Sequence, residues 1–301
     1  MPPAELEETE ARQGTVQAEI PPAAGTTDAQ DTDAEETDAG TEASITPPAA
    51  EKSSAMPNGD DWISLEPGLQ YTELKTDTFR LHVLRIDPAF FSFVLCASGK
   101  EKSEQMTLQE WSEKKDLIAS INASMYLPDG QTSTGYMRDG EYINNNRMVQ
   151  RFGAFFVADP DDPDLPQATI LEKDDDIGKE LLPHYRLVIQ NYRIINSQRR
   201  ILWSPGGPLY SISAVAIDGD GNVLFLHSQE PIEAYTFAQQ LLHLPIDVRT
   251  VMYVEGGGQA GLVIRSHKLS REMQGQNILD FLITGNRAAR LPNVLGIRRI
   301  H

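Results

Sequence analysis

Residues 249–265 read RTVMYVEGGGQAGLVIR, and they suggest both a fold and a site. Two apolar runs flank a turn of small residues, so the pattern predicts a hairpin of two strands joined by a tight turn. The three glycines at 256–258 lack Cβ atoms and leave backbone N–H groups open to a ligand. Glu255 ends the first strand, and Gln259 follows the glycines. A carboxylate beside bare backbone donors predicts chemistry, and a plain turn is the alternative.

Two familiar nucleotide-binding loops are excluded for this stretch. A P-loop requires a lysine directly after its last glycine, and no lysine follows the glycines at 256–258. A dinucleotide-binding fingerprint requires a helix after its glycines, whereas the residues after Gly261 are strand-like. The glycines therefore point to a turn or to another kind of ligand site.

Charge divides the chain of 301 residues into two parts. Residues 1–60 carry 14 acidic and 2 basic residues, which accounts for −12 of the net charge of −18. The remaining residues are only mildly acidic, so they carry no basic footprint for nucleic acid. The single cysteine, Cys96, lies in an apolar run and is predicted to be a core residue. We expect neither a cofactor nor a metal ion.

The acidic first part is poor in apolar side chains. Residues 1–60 contain no aromatic residue and consist mainly of Ala, Thr, Glu, Asp and Pro. Such a composition predicts a disordered linker, followed by one domain at 61–301. No run of about 18 apolar residues occurs, so no transmembrane segment is expected. A spacer of this kind is typical of an anchored or exported protein, which favours an extracytoplasmic location, with the cytoplasm as the alternative.

Strand signals are spread over the rest of the chain. The clearest hairpin covers residues 212–228, and Asp139-Gly140 predicts the turn of another. The acidic residues between 159 and 176 predict a solvated loop. Further apolar runs predict strands at 79–87, 90–97, 117–123, 152–158, 185–190 and 291–297.

Helical signals are fewer. A capping box at 107–110 predicts a helix start with Leu108 and Trp111 on the buried face. Two further helices are predicted at 231–244 and 278–284. Because strands and helices do not alternate regularly, we expect an α+β fold with mixed β-sheets and a few packing helices.

Several segments together resemble the phosphodiester glycosidase family. The glycine stretch is similar to that family's LDGGGSSTL signature, and SINASMYLPDG at 120–130 is similar to a strand end that reads NGGFF or NAGMY. The hairpin at 213–226 resembles the element that precedes the signature. The segment LVIQNYRII at 187–195 is similar to the family's QSGPRL element. The resemblance covers residues 80–300, with the elements in the same order.

The resemblance implies a hydrolase that cleaves a sugar phosphodiester in envelope polymers or glycans. Glu255 would stabilise positive charge on the sugar or act as a base. Asn122 would hydrogen-bond a sugar hydroxyl, and Arg193 would bind the phosphate. Asp129 is a candidate for a second carboxylate. His227 is another candidate acid or base, although a core role for it is the alternative. The remaining residues implied in substrate binding are Gly256, Gly257, Gly258, Gln259 and Gln190.

This chain departs from the family at several of these positions. Glu255 stands where the family has aspartate, and Gln259 where it has serine. Ile212 occupies the place of an arginine, and Asn191 and Tyr192 replace small residues before Arg193. The departures leave two functional classes open: an active phosphodiester glycosidase, and an inactive module on the same scaffold that binds glycans or phosphosugars.

Overall fold

The structure is a computed structural model that describes residues 62–76, 78–276 and 288–300. The linker predicted at 1–60 and the helix predicted at 278–284 lie outside these residues. The described chain forms three β-sheets and a few short helices, and all strand pairs are antiparallel. The α+β class is confirmed. No helix in the described part is long and apolar enough to span a membrane.

The largest sheet has seven strands and forms the middle of the fold. Strands are numbered in chain order. Across this sheet the order is β1 (Ile63–Glu66), β2 (Leu69–Lys75), β3 (Arg80–Ile86), β13 (Val223–Glu233), β12 (Leu209–Asp218), β14 (Val248–Gly256) and β11 (Arg193–Ile195).

Two five-stranded sheets complete the framework. One has the order β7 (Tyr142–Asn145), β6 (Met137–Asp139), β10 (Tyr185–Asn191), β8 (Ala154–Pro160) and β9 (Ala168–Glu172). The other has the order β16 (Ser270–Gln274), β15 (Gly261–Arg265), β5 (Ala119–Asn122), β17 (Asn293–Arg299) and β4 (Phe91–Ala97).

The helices are short and cover the outer faces. They are α1 (Ser98–Glu101), α2 (Leu108–Lys114), α3 (Asp176–Leu181) and α4 (Ala234–His243), with single 3-10 turns at Leu182–His184 and Gly257–Gln259. The capping box before α2 is confirmed: Thr107 accepts from the Glu110 amide, and Glu110 accepts from the Thr107 amide. Leu108 and Trp111 are buried, as the helical spacing predicts.

The central core lies between the seven-stranded sheet and the two smaller sheets. Successive side chains of β13 point to opposite faces of the sheet, and Val223 and Phe225 point into this core. Leu224 and Leu226 point to the opposite face, where Phe237 of α4 packs on them. The seven-stranded sheet is therefore buried on both faces, and polar groups on it must find partners inside the protein.

Two sequence-based expectations about elements are wrong. The helix predicted from 231 begins at Ala234, because β13 continues to Glu233 and pairs there with Leu209. The loop predicted between 159 and 176 contains a strand at 168–172, whose partner is β8. Pairing with a neighbouring strand decides both cases, and a single sequence does not show that neighbour.

The pairing of the glycine stretch also differs from the prediction. The strand–turn–strand order is confirmed, but β14 and β15 do not form a hairpin. β14 pairs with β12 and β11 in the seven-stranded sheet, whereas β15 pairs with β5 and β16 in another sheet. The glycine turn (residues 256–260) thus carries the chain from one sheet to the next.

Candidate active site

Glu255 lies at the end of β14, where the chain leaves the seven-stranded sheet. Its side chain is buried, with 6 % of the residue exposed. Oε1 accepts a hydrogen bond from the Gly256 amide at 2.9 Å, and Oε2 has no partner among the described residues. Burial raises the pKa of the carboxyl to about 8, and the hydrogen bond from Gly256 opposes this only in part. The group is therefore mainly protonated near neutral pH.

Two tyrosines lie close enough to Glu255 to interact with its charge. Burial raises the pKa of Tyr126 above its usual value, the carboxylate of Glu255 raises it further, and a hydrogen bond with Gln259 opposes both effects. Burial also raises the pKa of Tyr253, and Tyr210 and Glu255 add to the shift. Both phenols are thus neutral near pH 7, and a neutral phenol can serve as a hydrogen-bond donor.

The glycine turn combines one crowded position with one open position. At Gly256 an added Cβ would lie 2.1 Å from Tyr253 Oη and 2.9 Å from the Tyr210 ring. At Gly257 the backbone is left-handed, with φ of 68°, and a Cβ would face open space. Glycine at 256 therefore allows the tyrosines to approach the main chain, and glycine at 257 allows the bend itself.

This difference predicts unequal effects of two alanine substitutions. Gly256→Ala should lower the free energy of unfolding by about 1–3 kcal/mol, because Tyr253 must move. It should also change the near-ultraviolet circular dichroism of the buried tyrosines. Gly257→Ala should cost about 1 kcal/mol through backbone strain and leave that spectrum unchanged. Chemical denaturation and circular dichroism of both variants provide the check, and identical spectra in the two variants would contradict the packing assigned to Gly256.

Asn122 lies at the end of β5 and binds the main chain where the glycine turn ends. Its Nδ2 donates to the carbonyl of Gln259 at 2.8 Å, and its Oδ1 accepts from the amide of Gly261 at 2.9 Å. The structure thus brings Asn122 and the glycine turn together, although they are more than a hundred residues apart in sequence. Asn122 holds the turn in place, and its contact with a sugar stays a prediction.

Arg193 and Gln190 are engaged elsewhere in the structure. The Arg193 guanidinium lies 2.9 Å from a carboxylate oxygen of Glu172 and 3.2 Å from one of Asp174. The Gln190 amide accepts from Val149 and Tyr136 and donates to the carbonyls of Val149 and Phe152. Each side chain would have to give up these partners to reach a ligand, so the geometry favours a structural role for both.

The two weaker candidates also have structural partners. Asp129 is exposed and accepts hydrogen bonds from Gln131 and Thr132 within its own turn, which lowers its pKa. His227 is fully buried, and its Nδ1 lies 3.1 Å from Ser213 Oγ. The described residues contain no group of three or more acidic, histidine or cysteine side chains that could hold a metal ion. Among the described carboxyl groups whose pKa is shifted, Glu255 is the one whose pKa is raised, which makes it the candidate for acid–base chemistry.

Comparison with known proteins identifies the family. The phosphodiester glycosidase family matches residues 115–298, which is more than half of the chain. The chain belongs to this family. The match contains the strand end of Asn122, the segment around Gln190 and the glycine turn, so the resemblance seen in the sequence is confirmed there. A search of curated proteins finds no significant match.

Two solved structures share the fold. One is the catalytic domain of zebrafish N-acetylglucosamine-1-phosphodiester alpha-N-acetylglucosaminidase, auto-inhibited by its pro-peptide, with a TM-score of 0.53 and 12 % identity over 81 % of this chain and 86 % of that one. The other is a hypothetical protein from Synechocystis, with a TM-score of 0.53 and 12 % identity over 80 % of this chain and 63 % of that one. At this identity the likeness supports the family fold, while the chemistry depends on the residues of this chain.

Three side chains near the turn were not recognised from the sequence. Tyr126 lies four residues after Asn122 in a segment that already resembled the family, so its position was a usable signal. Tyr253 and Ser213 lie on strands that read as ordinary apolar segments. Only the pairing of β12 with β14, which sets Ser213 opposite Glu255, reveals that they belong to this region.

Proposed function

We propose that this protein is a hydrolase that cleaves a glycosyl phosphodiester at Glu255. The observation that carries the proposal is the buried Glu255 carboxyl at the glycine turn, with its raised pKa and an Oε2 that has no partner among the described residues. Family membership and the printed activity of the zebrafish relative support the substrate class. Sugar phosphodiesters of envelope polymers or glycans are the proposed substrates, and they favour an extracytoplasmic site of action.

The protonation state of Glu255 suggests its role. A phosphodiester carries a negative charge, which an ionised carboxylate would repel and a neutral carboxyl group would not. The Glu255 proton can bond to a phosphate oxygen while the bond between that oxygen and the anomeric carbon breaks through an oxocarbenium-like state. The proton passes to the departing phosphate, water adds to the anomeric carbon, and the proton that this water loses returns to the Glu255 carboxylate. The products are a free sugar and a phosphomonoester. We therefore propose that Glu255 acts as an acid and not as a base, because its raised pKa keeps it protonated near neutral pH.

The neighbouring residues complete the proposed site. Tyr126 makes a side-chain hydrogen bond with Gln259, and the charge of Glu255 affects the pKa of Tyr126. Gly257 and Gly258 present main chain without side chains at the bend, where a phosphate or sugar oxygen can approach. In this proposal Gln259 and the three glycines bind the substrate, and Arg193 and Gln190 have structural roles.

The direct experiment measures hydrolysis of a panel of glycosyl-1-phosphodiesters by phosphorus NMR. The expected result is conversion of diester to monoester. In water enriched in heavy oxygen, the label should appear on the sugar, because the bond to the anomeric carbon breaks. A label on the phosphate would identify a phosphodiesterase instead and would overturn the proposal, as would no turnover of any substrate.

A second function has an observation in its favour. Because Arg193 is paired with Glu172 and Asp174, the arginine implied by the family resemblance is not available to a phosphate. A site without this cation stabilises a departing phosphate less well, which favours a module that binds glycans or phosphosugars without cleaving them. Calorimetric binding of an intact phosphodiester, recovered unchanged after prolonged incubation, would support this function over the hydrolase.

A further inference from the structure

A row of polar residues crosses the seven-stranded sheet on the face that contains Glu255. Such a row inside an apolar core is costly unless each group has a partner. Only its outermost residue, Glu73, is partly exposed, and the other four are buried. Adjacent strands place them directly opposite one another in the order Glu73, His82, His227, Ser213 and Glu255.

Ser213 connects this row to the strand after the glycine turn. Its Oγ accepts a hydrogen bond from the Gly261 amide at 3.0 Å and donates one to the Gly261 carbonyl at 3.2 Å. His227 Nδ1 lies 3.1 Å from the same Oγ, and the tautomer of the ring sets the direction of this contact. His227 Nε2 has no partner among the described residues. A hydroxyl group has a single hydrogen, so with that hydrogen on the Gly261 carbonyl the matching tautomer carries its hydrogen on Nδ1 and donates it to Ser213 Oγ.

The surroundings of His227 keep it neutral and in place. Burial lowers its pKa to about 3, and the neighbouring His82 adds to the effect. The ring of His82 stacks beside it, with 6.3 Å between the centroids. His82 in turn bonds to Tyr71 Oη at 2.9 Å. A neutral ring with a fixed neighbour can hold one tautomer, in which Nδ1 carries the hydrogen.

We propose that His227 and Ser213 are positioning residues for the reaction at Glu255. His227 orients the Ser213 hydroxyl, and Ser213 fixes Gly261 immediately after the glycine turn. Ser213 also pairs with Glu255 through the backbone of β12 and β14, so this one residue is connected to both ends of the turn. This inference rests on the proposed hydrolase function.

The sharpest test compares two substitutions of the same histidine. Asparagine can place an amide nitrogen near the position of Nδ1, whereas glutamine reaches the position of Nε2. His227→Asn should therefore retain most of the activity, and His227→Gln should lower kcat at least about tenfold with a small change in KM, as expected for a misplaced catalytic group. If His227 only filled space, glutamine would be the better substitute, because its volume is closer to that of histidine.

Ser213→Ala tests the other half of the pair and has a matched control. It should reduce kcat at least as strongly as His227→Gln, since Gly261 would lose its hydroxyl partner. Ser120 is also a fully buried strand serine, and its hydroxyl bonds to Ser112 at 2.6 Å. Ser120→Ala removes a similar group from the neighbouring sheet and should leave kcat unchanged.

A second measurement is independent of turnover. Carbon NMR of labelled glutamate, assigned with Glu255→Gln, reports the pKa of Glu255 directly. Ser213→Ala and His227→Gln should lower this pKa toward its ordinary value as water reaches the loosened turn, and His227→Asn should not. The nearby phenols of Tyr126 and Tyr253 stay neutral over this range.

The two readouts separate the two proposals. Absence of turnover in the wild type would reject the hydrolase function, while the titration would still decide whether the pair positions Glu255. The positioning role would be overturned if Glu255 had the same pKa in His227→Asn and His227→Gln. It would also be overturned if Ser213→Ala left the pKa of Glu255 at its wild-type value.

Discussion

Replacing Glu255 with glutamine should lower kcat about 10²–10⁴-fold, the usual contribution of a positioned acid or base. Glutamine keeps the size of the side chain and is neutral like the protonated carboxyl group of the wild type. It does not have the transferable proton. The fold and the affinity for an uncleaved phosphodiester should therefore persist, so the loss should appear in kcat rather than in KM.

Glu113→Gln is the matched control for this substitution. Glu113 is exposed on α2, where its carboxylate accepts from Gln109, and the same chemical change there should leave kcat unaltered. Turnover by Glu255→Gln at the wild-type rate would show that the carboxyl group has no part in the reaction. In the wild type, kcat should fall as the pH rises through about 8, because Glu255 then loses its proton.

The second large effect concerns stability at alkaline pH. The pKa of Glu255 is about 8 in the folded protein, against an ordinary value of 4.5. Between these values the folded protein holds a proton that the unfolded chain releases, so stability falls as the pH rises through this window. The whole shift corresponds to about 4–5 kcal/mol of unfolding free energy. Glu255→Gln removes the ionisation and should be more stable than the wild type above about pH 8 by an amount of this order.

His227 makes the stability of the fold decrease as the pH falls, which is opposite to the effect of Glu255. Its pKa is about 3 in the folded protein, against an ordinary value of 6.5. The unfolded chain gains a proton first as the pH falls, so stability is lost between about pH 6.5 and about pH 3. The contributions of His227 and Glu255 oppose each other between about pH 4.5 and about pH 6.5, where we expect the stability maximum.

Chemical denaturation of the wild type and Glu255→Gln, from about pH 5 to about pH 9, provides the measurement. The difference between the two curves isolates Glu255, because all other groups are common to both proteins. It should be small near pH 5 and grow steadily toward pH 8. A difference that does not vary with pH would mean that Glu255 titrates near its ordinary value and is accessible to water.

Local patterns predicted most of the elements. The capping box at Thr107 marked the start of α2, because the pattern specifies a local pair of hydrogen bonds. The hairpin around Gly219 and the turn at Asp139-Gly140 were likewise local features. The start of α4 was misjudged, since Pro231 is compatible with a helix start and equally with the edge of the strand that pairs there.

The sequence singled out some of the residues that the structure places around the glycine turn, and their roles stay predictions. The sequence pointed to Glu255, Asn122 and the glycines, and the structure brings them together. The sequence could not show that Arg193 has a carboxylate partner on a neighbouring sheet, or that Gln190 makes four hydrogen bonds to main chain. Partners of charged and amide groups come from residues distant in sequence, and a polar residue alone does not reveal whether it is already satisfied.

The sequence by itself determined that residues 249–265 form strand, turn and strand, and that a carboxylate stands beside the glycines. Apolar runs and glycines act on the chain locally, so the pattern suffices. Only the tertiary structure decided that the two strands belong to different sheets. Pairing depends on which strands offer free edges. β14 pairs with β12 and β15 with β5, both from earlier parts of the chain, and β15 also pairs with β16, which directly follows it. This crossing between sheets buries Glu255, and the burial gives an ordinary glutamate its raised pKa.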